Sequence, residues 1–204
     1  MKTIILANGE FPKHPIPLQI LYEAEKVICC DGATLKLLDH KREPDLIIGD
    51  LDSLPDEIKS KYAGRLICIT EQENNDLTKA VNWCIENNIE EVTILGATGL
   101  RTDHTIGNIA LLARYGKKIK VQMLDDYGVY TPIYQTTTFS SFKGQQVSIL
   151  SIQQETAITL EGLKYPLHEY CLTEWWMGTL NESLGESFSI IFDKGSIVVF
   201  QTHA

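Results

Sequence analysis

The strongest constraint on the fold is a change of sequence period near residue 126. Before it, short and almost wholly apolar runs alternate with segments of helical period. The six apolar runs are TIILANG, KVICCDG, DLIIGDLDS, RLICIT, EVTILGATG and IKVQMLDD. Strands that are apolar on both faces and separated by helices are typical of a parallel sheet covered on both sides. The first part is therefore predicted to be an α/β domain.

Two of the intervening helices have clear limits in the sequence. From Asp76 to Asn87, apolar residues recur at the i, i+3, i+4, i+7, i+8 spacing of one buried face. A second helix is predicted from about Asp103 to Tyr115. Its apolar side would consist of Ile106, Ile109, Ala110 and Ala113.

Beyond residue 130 the helical period is lost and short strand patterns follow one another. SFSIIF and SIVVF, joined by Asp193-Lys194-Gly195, indicate a β-hairpin. A series of strands after a βα half predicts an antiparallel β-sandwich or open barrel. We therefore predict two packed domains, an α/β domain at 1–128 and a β-sandwich domain at 129–204.

Charge and composition exclude several classes of partner. The 204 residues include 18 basic and 27 acidic side chains, a net charge of −9. No basic face is available for nucleic acid or anionic membrane, but a local nest of N–H groups or a metal could still hold a phosphorylated ligand. The start, MKTIILANGE, is too short for a signal h-region, and no run approaches membrane-span length. Five cysteines without a C-x-x-C pair indicate reduced, buried thiols and a cytosolic protein.

Polar residues follow each of the first five predicted strands. They are Asn8-Gly9, Asp31-Gly32, Gly49 to Ser53, Gln72 to Asp76, and Gly96 to His104. Any one of these groups is explained equally well by turn formation, and Asp76 could simply cap its helix. In open α/β sheets, however, ligands bind outside the carboxyl ends of the strands. Five such groups on one edge therefore predict a binding site.

Asp50 and Asp52 are two residues apart, so in extended backbone they would lean to the same side. One explanation for two adjacent like charges is a divalent cation, because Mg²⁺ prefers carboxylate and phosphate oxygens. Asp76, at the start of the next helix, could complete that site. The alternative is a solvated turn with two screened acids.

The segment GATGLRTDH joins a predicted strand to a helix, where spare N–H groups favour anions. It matches neither a Walker A loop nor G-x-G-x-x-G. Arg101 adds a forked donor suited to phosphate. His104 could equally be an ordinary residue of the first helical turn.

In this order, the motifs resemble those of the thiamine pyrophosphokinase family over almost the whole chain. The matching segments are CCDGA, PDLIIGDLDS, QENNDLTKA, GATGLRTDHTIGNIALL, GLKYPL and GTLNES. The resemblance implies an α/β domain that binds ATP and Mg²⁺, a β-sandwich domain that contributes to a thiamine pocket, and a homodimer with sites between subunits. The implied reaction is attack of the thiamine hydroxyl on the β-phosphorus of ATP, releasing AMP.

The resemblance also implies roles for individual residues. Asp50, Asp52 and Asp76 would be catalytic and bind the metal, with Gln72 and Arg101 assisting catalysis. The residues implied to bind ATP or thiamine are Asn8, Asp31, Gly32, Ser53, Thr78, Lys79, Arg101, Asp103, His104, Asn108, Thr179 and Asn181. An aromatic wall for thiamine could come from Trp175 or Trp176, although a tryptophan is more often part of a core.

The sequence departs from the family pattern at four positions, namely Ala33, Asn75, Leu100 and Leu180. Leu180 stands where the family has serine, which removes a hydroxyl from the implied thiamine pocket. Two other functions stay open at this point. One is a Mg²⁺-dependent phosphatase or nucleotide-sugar transferase with an Asp-x-Asp motif. The other is a non-catalytic nucleotide or thiamine sensor.

Overall fold

The computed structural model describes residues 2–204 and contains two β-sheets. The larger sheet begins with six parallel strands in the spatial order β6-β5-β1-β2-β3-β4. Their bounds are β1 Thr3–Leu6, β2 Lys26–Cys30, β3 Leu46–Gly49, β4 Leu66–Cys68, β5 Glu91–Leu95 and β6 Lys120–Leu124. Each of the six apolar runs contains one of these strands, so the predicted parallel sheet is confirmed.

Five α-helices cover this sheet, and two short 3₁₀ helices, Ala63–Arg65 and Trp175–Gly178, lie elsewhere in the chain. The α-helices are α1 Pro15–Tyr22, α2 Ala33–Asp39, α3 Asp56–Lys61, α4 Asp76–Glu86 and α5 Thr102–Tyr115. Helix α4 ends one residue before the predicted limit, and Leu77, Ala80, Val81 and Cys84 are buried as its pattern predicts.

The predicted apolar side of α5 is partly wrong. Ile106 is 52% exposed, and Ala110 is also exposed. The buried side of this helix lies later, at Leu112, Ala113 and Tyr115. The physical reason is that His104 and Asn108, which line a cavity described below, share one stripe of α5 with the buried Leu112. Ile106 and Ala110 lie on another stripe of the helix, which faces away from the sheet.

In the second half of the chain, eight strands follow, and the first sheet continues into them. Strand β7 pairs antiparallel with β6, and β14, β9 and β12 extend the sheet beyond it. A second, wholly antiparallel sheet has the order β11-β10-β13-β8. The bounds are β7 Gly128–Ile133, β8 Thr137–Ser140, β9 Gln146–Ser151, β10 Ala157–Glu161, β11 Leu167–Cys171, β12 Asn181–Glu182, β13 Ser187–Ile191 and β14 Ile197–Thr202.

Side chains from the two sheets bury one another, which confirms the β-sandwich. Ile149 and Val199 come from the large sheet, and Leu160, Phe188 and Ile190 come from the small one. All five belong to one buried cluster. The sandwich and the parallel sheet are thus joined through a continuous ten-stranded sheet.

The predicted hairpin between SFSIIF and SIVVF is wrong. Strand β13 pairs with β8 and β10, whereas β14 pairs with β7 and β9, so the two strands lie in opposite sheets. The connection between them crosses from one sheet to the other, with Gly195 at φ +116° and packed against Thr156. Facing each other across the core, Ile190 of β13 and Ile197 and Val199 of β14 belong to one buried cluster.

The order of the parallel strands reverses direction at β1. The chain proceeds from β1 to β4 on one side, and then returns to place β5 and β6 on the other side. Such a switch point leaves a crevice between the loops that follow the two central strands. Here those loops touch, because Gly9 N donates to Gly96 O at 2.6 Å.

The cysteine prediction is only partly correct. All five thiols are free, and Cys29, Cys30 and Cys84 are buried, but Cys68 is exposed and Cys171 is half-buried. Within residues 2–204, none of the helices is long and apolar enough to cross a membrane.

We expect Gly9→Ala to destabilise the protein because its Cβ would lie 2.4 Å from two backbone oxygens, those of Gly96 and Thr98. Backbone cannot yield as a flexible side chain does, so the loss should be about 1 to 3 kcal/mol. Urea unfolding measures it. The control is Gly107→Ala on α5, where a Cβ meets nothing within 4 Å. That change should stabilise by about 0.5 to 1 kcal/mol, and equal effects of the two changes would contradict the close approach.

Candidate active site

A cavity of about 330 Å³ opens at the switch point, outside the carboxyl ends of β1 and β5. All of its lining residues lie between positions 7 and 108. They include Asn8, Gly9, Asn75, Asp76, Gly99, Leu100, Arg101, His104 and Asn108. Of the sequence-predicted site residues, the cavity therefore gathers Asn8, Asp76, Arg101, His104 and Asn108.

The loop after β1 is held by a lysine that the sequence analysis did not single out. Lys36 Nζ, on α2, donates to Asn8 O at 2.9 Å and to Gly9 O at 2.7 Å. Burial lowers the pKa of Lys36. The Asn8 side chain packs onto Gly32, where a Cβ would lie 2.1 Å from Asn8 Nδ2. Gly32 thus shapes the cavity without lining it. The sequence signal that could have indicated a role for Lys36 is its charge within the mostly apolar segment that forms α2.

Three carboxylates meet at the end of β3. One oxygen from each of Asp31, Asp50 and Asp52 lies within 4.8 Å of the others, the spacing of a group that could hold a metal ion. The sequence prediction assumed an extended backbone here, and this is wrong. Leu51 has φ +65°, in the left-handed region. A turn instead folds Asp52 back, so that its N–H donates to Asp50 Oδ1 at 3.3 Å.

The surroundings of these carboxylates differ. Asp31 is 1% exposed, and its Oδ1 has no hydrogen-bond partner within residues 2–204. Burial raises the pKa of Asp31, and the nearby charges of Asp76 and Asp50 add to the increase. A hydrogen bond from Gln72 Nε2, 3.1 Å from Asp50 Oδ2, lowers the pKa of Asp50. Ser53 completes the edge, with its Oγ 3.1 Å from Asp52 Oδ1.

Asp76 is not a member of this group, so the structure clusters Asp31, rather than Asp76, with Asp50 and Asp52. The metal set of Asp50, Asp52 and Asp76 stays a prediction. The Asp76 carboxylate instead accepts a hydrogen bond from Lys79 Nζ at 3.1 Å. Asp76 also does not cap α4. That role belongs to Asn75, whose Oδ1 accepts from Thr78 N at 2.9 Å.

Thr78 and Lys79 were expected to line the nucleotide region, and the structure buries both. Thr78 is 2% exposed and Lys79 is 3% exposed. Thr78 lies three residues before the buried Val81, on the same side of α4, and its hydroxyl donates to Asn75 Oδ1 at 2.7 Å. The two side chains therefore support the residues that line the cavity rather than line it themselves.

Arg101 and Asp103 form an exposed ion pair at the start of α5. Both Nε and Nη2 of Arg101 donate to the Asp103 carboxylate. The arginine lowers the pKa of Asp103 to about 2, and Asp103 in turn raises the pKa of Arg101. His104 lines the cavity beside them. Leu100, also on the lining, is 70% exposed and adopts φ +54°, a left-handed conformation that glycine adopts more easily.

Thr179 and Asn181 lie in the sandwich domain and do not line this cavity. The Asn181 amide is engaged locally through both its oxygen and its nitrogen. Its Oδ1 accepts from Tyr165 N at 3.0 Å and Glu182 N at 2.9 Å, and its Nδ2 donates to Tyr165 O at 2.8 Å. Thr179 Oγ1 donates to Trp176 O at 2.7 Å. Within one chain, Asn181 therefore braces a loop.

The two candidate tryptophans differ in exposure. Trp175 packs against the main core, and its Nε1 donates to Ser151 O at 3.1 Å. Trp176 is 73% exposed. Nearby in sequence, Leu180 has φ +59° and is 71% exposed. Of these two tryptophans, only Trp176 presents a free aromatic face.

Comparisons with known proteins agree with this arrangement. Residues 18–123 match the family model "Thiamin pyrophosphokinase, catalytic domain", and residues 128–200 match "Thiamin pyrophosphokinase, substrate-binding domain". The chain is 30% identical to thiamine pyrophosphokinase of Bacillus subtilis over 99% of both sequences. It belongs to the thiamin pyrophosphokinase family. The match to thiamin pyrophosphokinase 1 of Caenorhabditis elegans is 27% identical and covers 74% of this chain and 68% of that protein.

Solved structures of the thiamin pyrophosphokinase family share the fold. The enzyme from Geobacillus thermodenitrificans superposes with a TM-score of 0.80 at 25% identity, covering 100% of this chain and 98% of its own. The Bacillus subtilis structure gives a TM-score of 0.80 at 26% identity, covering 98% and 99%. These matches give no support to a phosphatase, a nucleotide-sugar transferase or a sensor.

We expect Asp76→Asn to destabilise the fold because it leaves the buried Lys79 ammonium without its carboxylate. The loss should be about 1 to 3 kcal/mol in chemical unfolding at neutral pH. Adding Lys79→Met removes the unpaired charge, so the double variant should regain most of the loss. As a control, Asp103→Asn breaks an exposed pair and should change stability little. A double variant less stable than Asp76→Asn alone would contradict this account.

Proposed function

We propose that the chain transfers a diphosphoryl group from ATP to the hydroxyl of thiamine, giving thiamine diphosphate and AMP. The observation that carries this proposal is the acidic group of Asp31, Asp50 and Asp52 beside the switch-point cavity, in a member of the thiamin pyrophosphokinase family. ATP would occupy the cavity of the α/β domain, 1–128, and the sandwich domain, 129–204, would contribute to thiamine binding.

The acidic group suits Mg²⁺. Among the residues that the structure describes, Asp31 Oδ1 is buried without a partner, and the three carboxylates supply the hard oxygen ligands that Mg²⁺ prefers. Asp31, Asp50 and Asp52 would hold the ion. When bound, Mg²⁺ would supply a positive charge that offsets the phosphate oxygens of ATP.

The remaining residues position the reactants and balance charge. Arg101 is exposed and free to direct its fork at phosphate oxygens, a contact that would compete with its bond to Asp103. Lys79 is buried against Asp76 and acts at a distance, by fixing that carboxylate at the cavity wall. A carboxylate of this edge would orient the thiamine hydroxyl for attack.

We further propose a homodimer in which the sandwich domain of one subunit completes the thiamine site of the other. In support, residues after 108 do not line the cavity, while Trp176 and Leu180 stand exposed in the sandwich domain. Large exposed apolar side chains suit a subunit contact or a cationic ring. We also propose a cytosolic enzyme without nucleic-acid or membrane partners, based on its free thiols and net charge of −9.

Product analysis tests the reaction. With thiamine and Mg-ATP, we expect thiamine diphosphate and AMP in equal amounts, measured by chromatography over a time course. AMP arises because attack on the β-phosphorus breaks its bond to the oxygen that bridges to the α-phosphate, and AMP leaves with that oxygen. ADP as the main nucleotide product would contradict diphosphoryl transfer and indicate transfer of a single phosphoryl group.

Asp52→Asn tests the acidic group. It removes one of three mutually repelling charges while keeping the shape, so thermal stability without Mg²⁺ should hold or rise. Activity should fall by about two orders of magnitude or more, because the metal loses a charged ligand. The matched control is Asp56→Asn, a fully exposed acid outside the group. It should leave kcat unchanged, and a near-normal kcat for Asp52→Asn would remove the metal site from this proposal.

A further inference from the structure

A chain of hydrogen bonds runs from the core to the cavity between α4 and α5. Tyr115 OH lies 2.6 Å from Thr78 Oγ1, which lies 2.7 Å from Asn75 Oδ1. Asn75 Nδ2 donates to Asn108 Oδ1 at 3.4 Å. Asn108 Nδ2 then donates to Ala97 O at 2.8 Å, at the end of β5.

The direction of this chain follows from its donors and acceptors. Asn75 Oδ1 can only accept, so the single hydroxyl proton of Thr78 is given to it. Tyr115 must therefore donate to Thr78. Burial raises the pKa of Tyr115 to about 12, so its proton is retained at neutral pH. All the bonds then point the same way, and each one polarises the next.

This direction fixes how the two asparagine amides are turned. Asn75 Oδ1 is held by two donors of Thr78, the hydroxyl and the backbone N–H. Its amide nitrogen must then face Asn108. Each amide nitrogen carries two N–H groups, and within residues 2–204 only one on each is bonded. Asn108 is half-buried, Asn75 is exposed, and both line the cavity.

We propose that Thr78 and Tyr115 are positioning residues for oxyanion binding. They hold Asn75 and Asn108 so that each offers an N–H group, rather than a carbonyl oxygen, to phosphate oxygens in the cavity. Thr78 and Tyr115 are 2% and 3% exposed and act only through the asparagines. Naming the ligand as the phosphates of ATP rests on the proposed function. Recognition of an oxyanion rests on the cavity itself.

The test combines equilibrium binding with unfolding in four variants, namely Thr78→Val, Tyr115→Phe, the double variant and Thr78→Ser. Calorimetry would measure binding of Mg-ATP and of inorganic pyrophosphate, and thermal melts would measure stability. Each single change leaves a buried hydroxyl group or its partner unsatisfied, so stability should fall. Replacing both by apolar groups should restore much of it.

Binding should behave differently from stability. Thr78→Val should weaken the binding of both anions about tenfold, which is the loss of affinity expected for about one hydrogen bond. Tyr115→Phe should weaken their binding less. The double variant should stay weak although its stability recovers, and Thr78→Ser should bind almost as well as the wild type. The matched control is Thr3→Val at the first residue of β1, the end of that strand away from the cavity. Thr3 Oγ1 is buried and has no partner within residues 2–204, so removing it should not alter binding.

Two outcomes would overturn the inference. One is a double variant whose binding recovers together with its stability, since the hydroxyls would then be purely structural. The other is a wild-type protein that binds neither anion. If the wild type binds pyrophosphate, Thr78→Val weakens that binding, and yet thiamine diphosphate is not formed, the proposed function fails and the positioning role stands.

Discussion

The whole arrangement depends on the contact between two backbone loops at the switch point. Gly9 and Gly96 approach so closely that a side chain on Gly9 would meet backbone oxygens at 2.4 Å. This contact lies beside the cavity and continues the pairing of β1 with β5 into the loops that follow them. Because parallel strands all point the same way, the ends of β2 and β3 then deliver their acids to the same edge.

The neighbouring carboxylates Asp31 and Asp50 have pKa values that their surroundings shift in opposite directions. Asp31 is buried and loses hydration, which raises its pKa, whereas the Gln72 hydrogen bond lowers the pKa of Asp50. Asp76 is compensated by a buried lysine. Environments that push the pKa values of neighbouring carboxylates apart are typical of sites that bind metals or move protons. Asp31 accepts a hydrogen bond from Ser53 N at Oδ2, but its Oδ1 has no partner within residues 2–204.

The continuous sheet gives the sandwich domain a defined position relative to the cavity. Strand β7 adds directly to β6, so the two halves share backbone hydrogen bonds rather than a flexible linker. This rigidity suits the proposed dimer, in which exposed groups such as Trp176 must reach the site of another subunit. Local bracing, such as that of Tyr165 by Asn181, would keep that surface in shape.

The sequence by itself determined the fold class, the six parallel strands, helix α4 and the edge on which the polar residues gather. These follow from local periodicity and from the rule that parallel strands end together. Tertiary structure alone decided that β13 and β14 face each other across a core and that Ile106 borders open space. It also decided that Asp31, rather than Asp76, lies with Asp50 and Asp52, and that Thr78 is buried. The physical reason is that pairing, burial and charge compensation depend on neighbours distant in sequence, such as Lys79 beneath the cavity wall and Tyr115 behind Thr78.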